Sequence, residues 1–128
     1  MIRIDVSNAR PLEDQIAVAL RQALARGELG AGDELPSVRQ LAGDLGVHWN
    51  TVARAYRRLA DEGLLAVRRG RSVTVRAHAG GQLRVARSRI RDQFAEAIAT
   101  GVLGGISSAE IDAVFQEALA RFGGREDE

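Results

Sequence analysis

Two short apolar stripes separated by one glycine constrain the fold of this chain more than any other feature. The first stripe follows one face of residues 38–45, and Ser37 and Gln40 at its start have the spacing of a capping box. Gly46 permits the backbone of a tight turn. The second stripe recurs at helical spacing and consists of Val52, Tyr56 and Leu59. The pattern predicts two helices around a tight turn, which is a helix-turn-helix motif.

The opposite side of the second helix is polar and rich in arginine. It carries Asn50, Arg54, Arg57 and Asp61, with Thr51 and Arg58 beside them. The only tryptophan of the chain, Trp49, stands at the start of this side and not in the apolar stripe. We therefore predict that Trp49 is exposed at the edge of the motif. The alternative is that its indole packs on the preceding helix, over Arg39.

The flanking segments predict a basic hairpin after the motif and one helix before it. A helix is predicted from Pro11 to Gly27, because apolar residues recur there at every fourth position. The loop "GELGAGDEL" follows it. Two β-prone runs, 64–67 and 72–76, are separated by Arg-Gly-Arg and indicate a hairpin. This order of elements is typical of a winged helix-turn-helix.

The last third of the chain predicts a helical tail. The segment "AHAGGQ" is typical of a linker, and an amphipathic helix is predicted from about Gln82 to Thr100, ended by "GVLGG". A final helix begins after Ser107, which forms a capping box with Glu110. The tail thus adds two helices to the winged helix-turn-helix.

Apolar residues of the tail form faces that the tail cannot bury by itself. They are Ile90, Phe94 and Ile98 in its first helix and Ile111, Phe115, Leu119 and Phe122 in its second. Two amphipathic helices in 46 residues need a further surface, either the first helix of the chain or a second copy. We predict that these residues form a homodimerisation surface, because two-fold dimers are common among helix-turn-helix proteins.

Length and composition limit the class of protein. The chain has 128 residues, of which 45% are apolar and 27% charged, which is typical of a soluble globular protein. It has no cysteine, its longest apolar run is Ile16–Leu20, and its first residues lack the pattern of a secretory signal. We expect a cytoplasmic location and no membrane segment.

The predicted fold class is mainly α with a small β-hairpin wing. A winged helix-turn-helix domain covers 1–76, a linker covers 77–82, and a helical dimerisation tail covers 83–128.

The distribution of charge is more informative than the net charge of +1. Residues 37–76 carry eight arginines against three acidic residues, and all 18 basic residues of the chain are Arg. Arginine makes planar, bidentate contacts with phosphate and guanine. G+C-rich codon usage explains the arginine content equally well, and exposed arginines are common on ordinary solvated surfaces. The segment "RVARSRIR" in the tail is interpreted as such a solvated face.

The segment from Pro11 to Val75 resembles the N-terminal domain of GntR-type bacterial transcription regulators. The resemblance is carried by "LPSVRQLA", "NTVARAY", "EGLL" and the Arg-Gly-Arg wing. "NTV" and the short two-helix tail are most similar to the YtrA-like branch. Membership of that branch implies a DNA-binding domain, a tail that dimerises, and no large effector domain.

The resemblance also implies which residues meet DNA. The recognition helix enters the major groove with its N-terminus first, and paired hydrogen bonds from Asn and Arg can read base edges. The implied set is Arg39, His48, Trp49, Asn50, Thr51, Arg54 and Arg58, with Arg69, Gly70 and Arg71 at the wing tip. His48 stands where a small polar cap residue is usual, and Trp49 where many relatives carry Arg or Pro. A different operator sequence is therefore expected.

Other functions have less support in the sequence. Two histidines and no cysteine give no metal-ligand spacing, and no nucleophile motif or phosphate-binding loop is present, so neither an enzyme nor a cofactor is expected. The main rival is a winged-helix module that docks the same basic edge on an acidic protein. A small-molecule effector at the dimer interface stays open, since no residue pattern names a ligand.

Overall fold

The computed structural model describes residues 2–68, 72–76 and 85–122. Contacts divide the chain into two compact units, Met1–Leu83 and Arg84–Glu128. Each unit is described separately below.

The first unit packs three helices and a small sheet around one core. Its helices are α1 (Leu12–Ala25), α2 (Val38–Leu45) and α3 (Trp49–Asp61), and its strands are β1 (Glu34–Leu35), β2 (Leu65–Val67) and β3 (Val73–Val75). The strands form an antiparallel sheet in the order β1-β3-β2. The winged helix-turn-helix prediction is confirmed, and the predicted helices begin and end within a few residues of their observed bounds.

Local chemistry fixes the turn between α2 and α3. The Ser37 hydroxyl accepts a hydrogen bond of 3.1 Å from the Gln40 backbone N–H and caps the start of α2. Gly46 ends α2 with a φ of +69°, in the left-handed region that favours glycine. The structure therefore contains both the Ser37 cap and the Gly46 turn that the sequence predicted.

The apolar stripe of α3 is the centre of the core. Val52, Ala55, Tyr56 and Leu59 are all buried. They pack with Ile16 and Leu20 of α1, Leu41 of α2, and sheet residues that include Leu35, Leu65 and Val75. The Tyr56 hydroxyl donates a 2.7 Å hydrogen bond to the Pro36 carbonyl oxygen, and burial raises the pKa of this phenol above its usual range. Tyr56 thus joins α3 to the loop that precedes α2.

Strand β1 was not predicted, because its segment was interpreted as a loop. Glu34 pairs with Thr74 and Leu35 with Val73, while the Val75 N–H donates a 2.9 Å hydrogen bond to the Asp33 carbonyl oxygen. The two-residue strand has no alternating pattern of its own. It exists because β3 offers it hydrogen-bond partners and the core accepts Leu35.

The second unit is a hairpin of two helices, α4 (Arg87–Leu103) and α5 (Ser108–Ala120). Ser107 accepts a hydrogen bond of 3.2 Å from the Glu110 backbone N–H, as its capping-box position predicts. None of the described residues of either helix is fully buried. The Phe94 and Phe115 rings nevertheless meet edge to face, with centroids 5.8 Å apart.

The predicted bounds of the first tail helix were wrong at both ends. Ala86 has extended backbone and precedes the helix, so α4 does not begin at Gln82, which lies outside the described residues along with the rest of the predicted linker. At the other end α4 continues through Gly101 to Leu103. A Cβ atom on Gly101 would lie 3.0 Å from the Ile111 side chain, so this glycine allows α5 to approach and does not break α4.

Among the described helices, none combines the length and apolar character needed to cross a membrane.

Candidate nucleic-acid interface

The first turn of α3 lies at the surface, directly beside the turn from α2. His48, Trp49 and Asn50 are all exposed, and Trp49 keeps 54% of its surface accessible. The predicted exposure of Trp49 is therefore observed. Because Val52 and Tyr56 hold the other side of the helix in the core, this edge stays open to a partner.

His48 caps α3 despite being an uncommon residue in that role. Its Nδ1 accepts a hydrogen bond of 3.1 Å from the Asn50 backbone N–H. The same imidazole stacks on the Trp49 indole, with ring centroids 5.6 Å apart and an interplanar angle of 28°. Three consecutive residues are thus connected at the exposed end of the helix.

Three exposed arginines of α2 and α3 have no intramolecular partner among the described residues. Within the described residues, the guanidinium groups of Arg39, Arg54 and Arg57 form no hydrogen bond or ion pair. Arg54 follows Asn50 by one helical turn, and Arg39 lies in the first turn of α2. Thr51 is half-buried beside them. Free guanidinium groups can bind phosphate oxygens or the acceptor edges of guanine.

Arg58, which the sequence also placed among the DNA contacts, differs from these three arginines because it forms ion pairs within the chain. Its Nη1 lies 3.1 Å from the Glu13 Oε2 and 2.5 Å from the Asp14 Oδ1, both at the start of α1. Hydrogen bonding to Asp14 is the main reason that the pKa of the Arg58 guanidinium is raised. Helical spacing alone places Arg58 beside the polar side of α3. The ion pairs with Glu13 and Asp14 become visible only when α1 is packed against α3. Arg58 joins α1 to α3.

The groove between α2 and the sheet adds a residue that sequence reasoning did not single out. It has a volume of about 910 Å³, and its lining includes Glu34, Ser37, Arg39, Arg68 and Ser72. Arg68 is exposed and borders the same groove as Arg39. Its place in the run "RRGR" was the available signal. The predicted wing-tip residues Arg69, Gly70 and Arg71 lie outside the described residues.

Comparison with known proteins identifies the family. The family model for bacterial regulatory proteins of the gntR family matches residues 12–75. The chain belongs to the GntR family. This regulator therefore carries the DNA-binding domain of a transcription regulator, as the resemblance of its sequence implied.

Similarity to individual GntR proteins extends into the tail. The chain is 30% identical to the HTH-type transcriptional repressor YtrA of Bacillus subtilis over 121 residues, which are 94% of this chain and 93% of YtrA. It is 45% identical over 67 residues to the HTH-type transcriptional regulator Rv1152 of Mycobacterium tuberculosis. That match covers 52% of this chain and spans only 55% of the relative. Both relatives are transcription regulators.

A solved structure supports the same assignment. YtrA from Sulfolobus acidocaldarius, a GntR-family transcription factor, matches this chain with a TM-score of 0.60 at 39% identity. The match covers 77% of this chain and 97% of that structure. This chain is thus similar to YtrA proteins both in sequence and in fold, which supports its place in the YtrA-like branch.

Replacing Arg58 with Ala tests its assignment to the α1–α3 contact. Because ion pairs of this exposure contribute about 0–1 kcal/mol each, we expect the free energy of unfolding to fall by about 1 kcal/mol in urea titrations followed by circular dichroism. Arg57→Ala is the matched control on the same helix and should change it by less than about 0.5 kcal/mol. A loss of DNA affinity in folded Arg58→Ala protein would show that Arg58 also contacts DNA, as the resemblance to the family implies.

Proposed function

We propose that this regulator is a repressor that binds a palindromic DNA operator as a homodimer in the cytoplasm. The observation that carries the proposal is the first turn of α3, where exposed Asn50 and Arg54 stand opposite a fully buried apolar stripe. A recognition helix in the major groove presents the same arrangement, with its N-terminal residues against base edges.

Within this interface we assign base reading to α3 itself. The Asn50 amide can form two hydrogen bonds with adenine, and the Arg54 guanidinium can form two with guanine. Trp49 can cover a sugar or a thymine methyl group, and its indole N–H can donate to a phosphate oxygen. Thr51 suits a phosphate or a thymine methyl group. The side chains of this turn therefore supply the sequence preference.

We assign contacts with the DNA phosphate backbone to arginines outside α3. Arg39 and Arg68 border one groove and can bind phosphate oxygens of the DNA. The resemblance to the family adds Arg69, Gly70 and Arg71 of the wing tip. These contacts fix the orientation of the domain and supply affinity that depends on salt, without choosing a base.

We assign the homodimer interface to the helical tail. Phe94, Ile98 and Phe115 are between 41% and 50% exposed, and they line an apolar groove of about 710 Å³ between α4 and α5. Ile90 and Leu119 extend the exposed surface, whereas Ile111 and Phe122 are half-buried. A two-fold partner would cover these groups and set two recognition helices at the spacing of a palindrome. The proposal assigns the groove to this partner and names no small-molecule effector.

Salt-dependent binding to a specific duplex tests the proposed function. DNA enriched by the protein from its own genome should contain a palindrome with half-sites about one helical turn, or about 34 Å, apart. Fluorescence-anisotropy titrations should show affinity that falls steeply as salt rises and exceeds the affinity for a scrambled duplex. Equal affinity for both duplexes would favour a protein-docking module instead.

Two arginine variants separate base readers from phosphate contacts. Arg54→Ala should cost about 1–3 kcal/mol on the enriched site and little on scrambled DNA. Arg39→Ala, the matched control on α2, should weaken binding to both duplexes by a similar factor. Both are measured by anisotropy at one salt concentration. If the two variants lose affinity in the same sequence-independent way, Arg54 does not read a base.

Phe115→Glu tests the dimer surface. The variant places a carboxylate in the apolar groove, where burial without a partner costs several kcal/mol, so we expect a monomer in sedimentation velocity and a large loss of operator affinity. Ala113→Glu adds the same charge to an exposed position of α5 outside the groove lining and should stay a dimer. A dimeric Phe115→Glu protein would place the interface elsewhere.

A further inference from the structure

One imidazole ring makes two contacts at the start of the recognition helix. Nδ1 of His48 accepts the Asn50 backbone N–H at 3.1 Å, and the face of the ring stacks on Trp49 at 5.6 Å between centroids. Consecutive residues inside a helix do not face one another. His48 and Trp49 do so because His48 has extended backbone, with φ of −67° and ψ of 141°, and stands just before the first helical residue.

The cap contact fixes the position of the ring. An N-cap side chain must direct its acceptor at the N–H groups of the first turn, which restricts its rotamer. A serine or asparagine would satisfy the same N–H but has no ring to place beside the indole. His48 is therefore a weaker cap residue that adds a flat aromatic ring at a defined place.

Trp49 needs such a surface because little else restricts it. Trp49 is 54% exposed and lies outside the core cluster of the first unit. An exposed side chain with two free torsions loses that freedom when it contacts a partner, and prior restriction improves affinity by reducing the loss. A stacked neighbour provides the restriction before DNA arrives.

We propose that His48 is a positioning residue that holds the Trp49 indole at the DNA-facing edge and thereby contributes to operator preference. The contribution to operator preference rests on the proposed DNA-binding function, whereas the positioning of Trp49 concerns the free protein alone. The role belongs to this chain's own pair of residues, His48 followed by Trp49.

Two substitutions at position 48 separate the cap from the stack. His48→Ser keeps a cap acceptor and removes the ring. His48→Phe keeps a ring and removes the acceptor. Trp49 is the only tryptophan, so acrylamide quenching and steady-state anisotropy of its emission report on this one side chain. Circular dichroism confirms that each variant is folded.

In the free protein, His48→Ser should raise the quenching of Trp49 and lower its anisotropy, while His48→Phe should leave both close to the parent values. Unchanged quenching in His48→Ser would overturn the proposal. Equal loosening of Trp49 in both variants would also overturn it, because the effect would then follow from the change at the cap and not from loss of the ring.

Operator binding provides the second readout. The contribution of one aromatic pair corresponds to a change of about two- to tenfold in a dissociation constant. His48→Ser should therefore weaken binding to the enriched palindrome by that factor and leave binding to scrambled DNA unchanged. In a Trp49→Ala background the same change should have no further effect, because the two residues act through one contact. Additive losses would overturn the coupling. If the parent shows no sequence preference, the proposed function fails, while the quenching result still decides the positioning role.

Discussion

Burial of one side of α3 is the constraint on which the rest of the structure depends. Val52, Tyr56 and Leu59 are almost completely inaccessible, and α1, α2 and the sheet all contribute residues to the cluster around them. Since a helix that is fixed on one side presents the other, this packing determines which side chains can meet DNA. The Tyr56 hydrogen bond to Pro36 extends the same constraint to the start of α2.

The arginines of the first unit divide according to what surrounds them. Arg21 forms a bidentate ion pair with Glu62, and Arg58 binds two acidic side chains of α1, so both join α1 to the region of α3. Arg39 and Arg54 have no such partner within the described residues and can approach a phosphate without first breaking an ion pair. The charge balance of a segment therefore overstates the charge that is free to bind DNA.

The tail poses a different physical problem, because no described residue of α4 or α5 is fully buried in a core of their own unit. Gly101 lets α4 and α5 approach closely, and the Phe94 and Phe115 rings meet at the seam. Large exposed apolar surfaces are costly in water and commonly mark an interface. In the proposed homodimer a second copy would cover these apolar groups, and its two-fold symmetry would also suit a palindromic site.

The sequence alone determined that these helices form, the serine caps of α2 and α5 and the side of α3 that is buried, because periodicity and local hydrogen bonding act within a few residues. It also indicated the family and the exposure of Trp49. Tertiary structure decided what depends on distant partners. Strand β1 forms only because β3 pairs with it, Arg58 pairs with α1 because two carboxylates lie within reach, and Gly101 lies within α4, where its missing side chain leaves room for Ile111. Such contacts join residues far apart in the chain, so no local pattern encodes them.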